Sequence, residues 1–456
     1  MMKYALFVSN RTTFPQQLIE AAIQETAAAL SRNGDTPVIP PEAVADDAAA
    51  LRYAAFLREH PCDGVLALFP NFGDEGSCFT ALRDAGVPIL FVAYPDRLDA
   101  MGPQTRRDAF CGKFSVVNLF RQCRIPCTVL EPHTVLPGSP AFADNLRVFG
   151  AVCRVVNGMK RLRTGSIGAR CTPFKTVRFD ETTLEKYGIS NETFDLSELF
   201  AAIRKMRDDD ENVLREAGRI ERCCRWPEGS GPVRLRMAKL ALAVGELIRR
   251  HRLDLVTLRC WTEVEEELHL SPCLVLSLLN DRRITANCEV DTVNAIGMHA
   301  LSLAADAPGA CLDWNNNYGD DPDACVLFHC GPTAQSLMQP GSRVVDHPMF
   351  ARVFGPGNGL GCREGRMKPG NFTWCSGMTR DGKLIFALDR GMFGREKLPD
   401  DFFGCGGVAH FTGLQEKLRR LLRHGFPHHM SLSYGDHFTA LEEAFTAYLG
   451  YELLTF

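Results

Sequence analysis

Along the first 130 residues, apolar positions come in two kinds of stretch that alternate. KYALFVSN, TPVIP, CDGVLALFP, VPILFVAYPD and IPCTVLEP are short continuous apolar runs, whereas residues 14–31, 46–58 and 104–122 repeat apolar positions every three to four residues. The runs predict strands buried on both faces and the repeats predict amphipathic helices, which together make a parallel sheet covered by helices. From about residue 140 the order changes. SPAFADNLRVFGAVCRVVNGMKRLR predicts a long helix, TGSIGARCTPF a glycine-punctuated strand, SELFAAIRKMRDDDENVLREAGRIERC a charged helical stretch, residues 235–251 a helix and DLVTLRC a strand. In the last hundred residues, GNFTWCSGMTRDGKLIFALDRGMF predicts a hairpin turning at Asp381–Gly382, followed later by the strand HHMSLSYGD and a helix over 438–449.

The expected fold class is therefore α/β. Two Rossmann-like parallel-sheet domains, residues 1–138 and 139–345, precede a mostly antiparallel β-rich domain, residues 346–456, for which a small barrel is one closure. A chain of 456 residues is long enough for two or three cores.

Composition narrows the partners. With 45% hydrophobic and 23% charged residues and a net charge of −4, the chain has the balance of a globular protein and no footprint for nucleic acid. No run of about 18 apolar residues predicts a membrane span. The opening MMKYALFVSNRTTF reads as a first strand, since its apolar run is short and lacks a small-residue cleavage site. Its 18 cysteines are scattered without a CxxC pair, which predicts reduced, mostly buried thiols in a cytoplasmic protein and neither a disulfide scaffold nor a structural zinc site. The first strand is followed by VSNRTTF, with no glycine to let the backbone approach a pyrophosphate, so a nicotinamide oxidoreductase is disfavoured.

The stretch NCEVDTVNAIGMHALSLAADAPGACLDWNNNYGD, residues 287–320, sets the chemical question. Its apolar character is that of an interior segment, yet it carries Glu289 and Asp291, and an interior carboxylate is costly without positive charge beside it. Asp313 follows Glu289 by 24 residues, after a helix-like segment, and strand–helix–strand spacing places both acids at the C-terminal edge of one parallel sheet. On spacing alone, two solvated strand-end acids serve equally well. His329 ends the next strand-like run, and His428 and His429 open the last one. Two carboxylates with one or two imidazoles suit Mn²⁺, Fe²⁺, Co²⁺ or Mg²⁺. His299, on the intervening helix, reads as packing.

CEVD, LDWNN, FHCGP, GRMKPGNFTW and PHHMSLSYGD, in that order, resemble the L-fucose and L-arabinose isomerase superfamily, over the whole chain and best over 255–456. The resemblance implies that Glu289 and Asp313 bind a divalent metal, most often Mn²⁺, and that His429, preferred over His428, completes the set. It implies His329 as a further ligand by analogy with the arabinose branch. It also implies a homotrimer or homohexamer with sites between subunits. The chain is shorter than a typical fucose isomerase, and it combines Asp313 of one branch with His329 of the other, so the substrate does not carry over.

The implied activity is metal-dependent aldose–ketose isomerisation of a pentose, deoxyhexose or substituted hexose through a metal-chelated enediol, with Glu289 and Asp313 as acid and base. A sugar-binding or sensing protein without turnover is the alternative on the same scaffold. Arg366 and Lys368, in a glycine-rich loop, are candidates for a substrate oxygen or anionic substituent, and Trp261 for an apolar wall. His428 and Asn315, the first of three consecutive asparagines, complete the expected substrate surroundings, with Asn315 to Asn317 orienting the ligands. Glu263 is a candidate beside the substrate, Glu265 to Glu267 are expected to be solvated, and NFGDEGS (71–77) is a candidate contributor to a neighbouring subunit's site.

Overall fold

In the computed structural model, which describes residues 1–456, KYALFV forms β1 (Lys3–Val8), buried at every position after the first. It lies in an all-parallel sheet with β2 (Thr36–Val38), β3 (Gly64–Phe69) and β4 (Ile89–Ala93), in the order β2-β1-β3-β4. β3 and β4 are buried throughout, as a sheet covered on both faces requires. Helices α1 (Gln17–Arg32), α2 (Asp47–Glu59), α3 (Glu75–Leu82), α4 (Ala109–Gln122) and α5 (Pro140–Met159) intervene or follow. Asp46 and Asp74 cap α2 and α3 by accepting from Ala49 N and Ser77 N. The expected strand IPCTVLEP is reduced to a single bridge of Leu90 with Thr128, with another of Ala93 with Thr134 just beyond it, because Pro126 and Pro132 have no N–H to give a ladder. The helix expected from 104 starts only at Ala109, after a left-handed Asp108.

The chain divides into two compact units, residues 1–157 with 439–450, and residues 158–438 with 451–456. Within the first, the returning segment places the Tyr448 hydroxyl against the backbone of Ile89 and 3.0 Å from the Thr128 hydroxyl.

The second unit begins with a parallel sheet of β5 (Arg163–Ile167), β6 (Ser190–Phe194), β7 (Leu255–Leu258) and β8 (Thr285–Cys288), in the order β6-β5-β7-β8. Its helices are α6 (Glu181–Lys186), α7 (Leu196–Lys205), α8 (Glu211–Arg222), α9 (Gly231–His251), α10 (Glu263–Leu268), α11 (Cys273–Asp281) and α12 (Thr292–Ala305). The single charged helical stretch of the sequence is thus two helices, split at MRDDD, where aspartates compete with helical hydrogen bonding.

The remaining strands are β9 (Ala310–Asn317), β10 (Ala324–His329), β11 (Arg343–Asp346), β12 (Leu360–Arg366), β13 (Gly370–Arg380), β14 (Lys383–Phe393), β15 (Cys405–His410), β16 (His429–Tyr434) and β17 (Glu452–Thr455). They run β11-β12-β15-β10-β9-β16-β13-β14-β17, and a further β14–β15 pairing closes β15-β10-β9-β16-β13-β14 into an antiparallel barrel. The β13–β14 hairpin turns at Asp381 and Gly382, both with positive φ, as that dipeptide predicts. Phe372, Trp374, Leu327 and Leu432 belong to its buried core. No helix is long and apolar enough to cross a membrane.

One sequence expectation is corrected here. Glu289 and Asp313 do not share a parallel sheet, because β8 ends the parallel sheet and β9 enters the barrel, antiparallel to both neighbours. The spacing between them is the same either way. What differs is α12, which is buried on nearly every side because it lies between the sheet and the barrel, touching β7, β8, β13 and β16.

Candidate functional site

At the end of β8 the chain turns sharply, with Glu289 and Val290 both in the left-handed region at φ 62° and 59°. For a β-branched valine that conformation costs roughly 1–2 kcal/mol, so the surroundings must hold it. Asn287 braces the turn, its side chain accepting from Cys288 N and donating to Asp291 O. Asp291 then caps α12, accepting from Asn294 N at 3.2 Å and from Asn294 Nδ2 at 2.7 Å. The Asn294 side-chain oxygen in turn accepts from Gly377 N of β13, tying the helix start to the barrel.

On the barrel side, Asp313 of β9 lies opposite His429 of β16 and opposite Phe328 of β10, next to His329. Register thus brings β9, β10 and β16 to one place below the β8 turn. His429 Nε2 is 3.2 Å from Asp313 Oδ1 and 3.4 Å from Glu289 Oε2. His428 Nε2 stands farther off, 3.8 Å from Asp313 Oδ1, with its side chain 41% exposed.

His429 Nδ1 is 2.6 Å from Asp291 Oδ2. Both residues are buried, so this contact sets the imidazole's orientation and puts a proton on Nδ1, leaving Nε2 to face the carboxylates. Glu289 Oε2, Asp313 Oδ1 and His429 Nε2 are each buried without a hydrogen-bond partner, although both carboxylate oxygens converge on His429 Nε2. Two orphaned carboxylate oxygens around one orphaned imidazole nitrogen make a donor set suited to a cation.

Charge supports that description. Burial pushes Glu289 up to about 7, with Asp313 and Asp291 adding to the rise and His429 opposing it. Burial also raises Asp313, yet the imidazoles of His429, His329 and His428 bring it below the ordinary carboxylate range. Burial disfavours charge on His429, but Asp291 and Asp313 hold it protonated well above the usual histidine value. The three acids demand positive charge, which the imidazolium proton supplies and a bound cation would supply in its place.

His329 is buried beside the cluster, and burial lowers its pKa to about 4. Its Nδ1 accepts from Cys330 N at 2.8 Å, so the neutral ring carries its proton on Nε2, 3.3 Å from Cys288 Sγ. In that state His329 offers no free lone pair to the convergence point, even though its ring lies within 4.8 Å of the ligand atoms of Asp313 and His429.

Arg366 donates to the backbone oxygens of Phe402, Gly404 and Gly365, and Lys368 to that of Ser336, so both hold loops together. Asn315 is exposed, and Asp291 occupies the orienting place expected of the asparagine run. Trp261 forms a wall with Phe174 and Phe350, at centroid distances of 5.4 and 5.3 Å, and Phe174 also stacks on His428. Glu263 is paired with Arg259 at 2.7 Å. Glu266 and Glu267 are exposed as expected, but Glu265 is fully buried with both carboxylate oxygens unpartnered, and burial lifts it to about 9. The NFGDEGS segment lies after β3 and supplies the Asp74 cap of α3. His299 is half-buried, 3.1 Å from the Thr285 hydroxyl, a packing position as read from the sequence. Asp291 was conspicuous in the sequence but had no assigned role, because only the fold brings β16 to it.

Comparison with known proteins supplies an independent line. The family described as fucose/sulfoquinovose isomerase, N-terminal domain, matches residues 5–160, and that described as L-fucose isomerase, C-terminal domain, matches residues 327–456. Sulfoquinovose isomerases of Priestia aryabhattai and Priestia megaterium are each 23% identical over 436 residues, covering 94% of this chain and 93% of theirs. That of Alkalicoccus urumqiensis is 24% identical over 404 residues, covering 84% of each. Among solved structures, an ABC transporter solute-binding protein from Agrobacterium vitis with bound allitol aligns over 92% of this chain and 99% of its own at 10% identity, with a TM-score of 0.17, too low to bear on the fold.

Proposed function

The chain belongs to the L-fucose isomerase superfamily, and from that membership we propose that it is an aldose–ketose isomerase for a hexose with an anionic substituent, of the sulfoquinovose class, working with a divalent metal, Mn²⁺. The substrate class is suggested by the relatives' names and by full-length coverage of both chains. The observation that carries the metal is the approach of Glu289 Oε2 and Asp313 Oδ1 to His429 Nε2, all three atoms buried and unpartnered. Carboxylates and one imidazole, without thiolate, form a donor set for a hard or borderline cation.

A cation held by Glu289, Asp313 and His429 would supply Lewis-acid polarisation of the substrate. The chain supplies the rest. Asp291 fixes the His429 tautomer, and the β8 turn presents Glu289. The carboxylates of Glu289 and Asp313, which a bound cation would hold ionised, are the groups placed to remove and return the proton that moves between neighbouring carbons. Trp261 and Phe174 offer an apolar face for the sugar ring. The proposal includes a homotrimer or homohexamer and a reducing, cytoplasmic setting, which suits 18 free cysteines.

The test is an NMR screen in D₂O with Mn²⁺, using sulfoquinovose, pentoses, hexoses and other 6-substituted hexoses. Aldose–ketose interconversion with deuterium entering beside the carbonyl is expected, and Glu289→Gln should abolish it while the far-UV circular dichroism stays unchanged. Normal turnover in that variant would remove Glu289 from the mechanism, and metal-loaded protein inert toward every sugar would sink the assignment.

A further inference from the structure

The C-terminal edge of the second parallel sheet carries a row of thiols. Cys171 follows β5, Cys260 follows β7, and Cys288 ends β8, on three strands that are neighbours in the sheet. Cys260 lies within hydrogen-bond reach of both Cys171 and Cys288. Cys260 and Cys288 are 4% and 2% exposed, and their sulfur atoms and a Glu289 carboxylate oxygen all lie within 4.8 Å of one another.

A tetrahedral thiolate site with metal–sulfur bonds of about 2.3 Å has ligands separated by roughly 3.5–4 Å, so this trio is already near a three-ligand arrangement. His329 adds to it. Its Nε2–H faces Cys288 Sγ at 3.3 Å, which places a donor where it would stabilise a thiolate. Glu289 thus stands between two donor sets of different softness: Asp313 with His429 on one side, Cys260 with Cys288 on the other.

We propose that Cys260, Cys288 and Glu289 form a second cation site, selective for thiophilic ions such as Zn²⁺ and Cd²⁺, which competes with the carboxylate–histidine site by taking Glu289 from it. Soft ligands set this preference, because thiolates favour Zn²⁺, Cd²⁺ and Cu⁺ over Mn²⁺ or Mg²⁺. Each thiol gives its proton to solvent as it binds. Since one glutamate serves both sets, occupancy is exclusive, and a soft cation acts as an inhibitor that excess Mn²⁺ reverses. The site rests on the function proposed above only for this inhibitory consequence.

The experiment is a Cd²⁺ titration of metal-free protein, following ultraviolet thiolate-to-cadmium charge transfer. It is best made in a Cys223→Ser/Cys224→Ser background, because that vicinal pair, with sulfurs 3.3 Å apart, would take cadmium itself. The expected result is a band saturating at one equivalent and reduced at least several-fold in Cys260→Ser and, independently, in Cys288→Ser, so that misfolding of one variant leaves the other informative. Mn²⁺ pre-bound to the protein, read by electron paramagnetic resonance, should be released stoichiometrically by Cd²⁺ and retained far better in Cys260→Ser. Cadmium binding without the band, a band unchanged in both serine variants, or Mn²⁺ remaining bound beside thiolate-held Cd²⁺ would each overturn the proposal. A cadmium band in a protein that binds no Mn²⁺ would sustain the thiol site and count against the proposed isomerase.

Discussion

Asp291 shows how one side chain joins architecture to chemistry. It caps α12 and accepts a hydrogen bond from His429 Nδ1, so a cap-preserving change separates the two roles. Asp291→Asn keeps a capping oxygen but weakens the acceptor behind the imidazole. We expect Mn²⁺ affinity, measured by electron paramagnetic resonance, to fall about 10–100-fold, with only a small change in thermal midpoint. Loss of folding with unchanged affinity in the folded fraction would assign the residue to architecture alone. Glu265 poses the opposite case, a buried carboxyl with no partner. Burial sets its folded pKa at about 9 against 4.5 for the free side chain, so the folded state keeps a proton that the unfolded state has lost. Its contribution to stability is fully present below about pH 4.5 and declines by up to about 1.4 kcal/mol per pH unit toward pH 9, where Glu265 ionises in the fold as well. Glu265→Gln should flatten that part of the urea-unfolding profile between pH 5 and 9; an unaltered slope would mean that the carboxyl finds a partner in solution.

Among the elements, α12 carries the most. It is enclosed by the parallel sheet and the barrel, starts at the strained Glu289–Val290 turn, and approaches β13 and β14 through Gly297. A Cβ at Gly297 would lie 2.7 Å from Cys375 Sγ and 3.0 Å from a Phe386 ring carbon. Alanine gains about 1 kcal/mol in helix propensity, but overpacking a close-packed site costs about 1–3 kcal/mol. Gly297→Ala should therefore lower stability on balance and, by shifting the helix start, weaken Mn²⁺ binding; a more stable variant would show that the barrel face yields easily.

For the whole molecule, assembly is the open consequence of the proposed function. Leu98, Met101, Phe110, Phe114 and Leu136, all in the first unit, are exposed at 45% or more, and Phe110 and Phe114 pack their rings 6.4 Å apart. Apolar surface of this kind marks an interaction face, and self-association would cover it. Light scattering after size exclusion should give three or six times the 50.5 kDa chain mass, and Phe114→Glu should reduce it. A monomer of full activity would remove the subunit-sharing expectation.

The order and type of elements lay in the sequence, because continuous runs and 3.6-residue repeats report burial directly: β1, β3, β4, the hairpin at Asp381–Gly382 and most helices follow from pattern. Proline and aspartate exceptions, at IPCTVLEP and MRDDD, were also written there, though easily overruled by hydrophobicity. Glu289, Asp313 and His429 stood out as candidates from residue type and motif order. Their meeting did not, for it depends on the antiparallel register of β9 with β16, on barrel closure through β14–β15, and on α12 lying between two sheets. The same limit hid Asp291 behind His429, 138 residues away, and turned Glu265 from a solvated acid into a buried one. Local pattern determines which way a side chain points within its own element; what stands opposite it is decided by long-range pairing, which a short window of sequence does not contain.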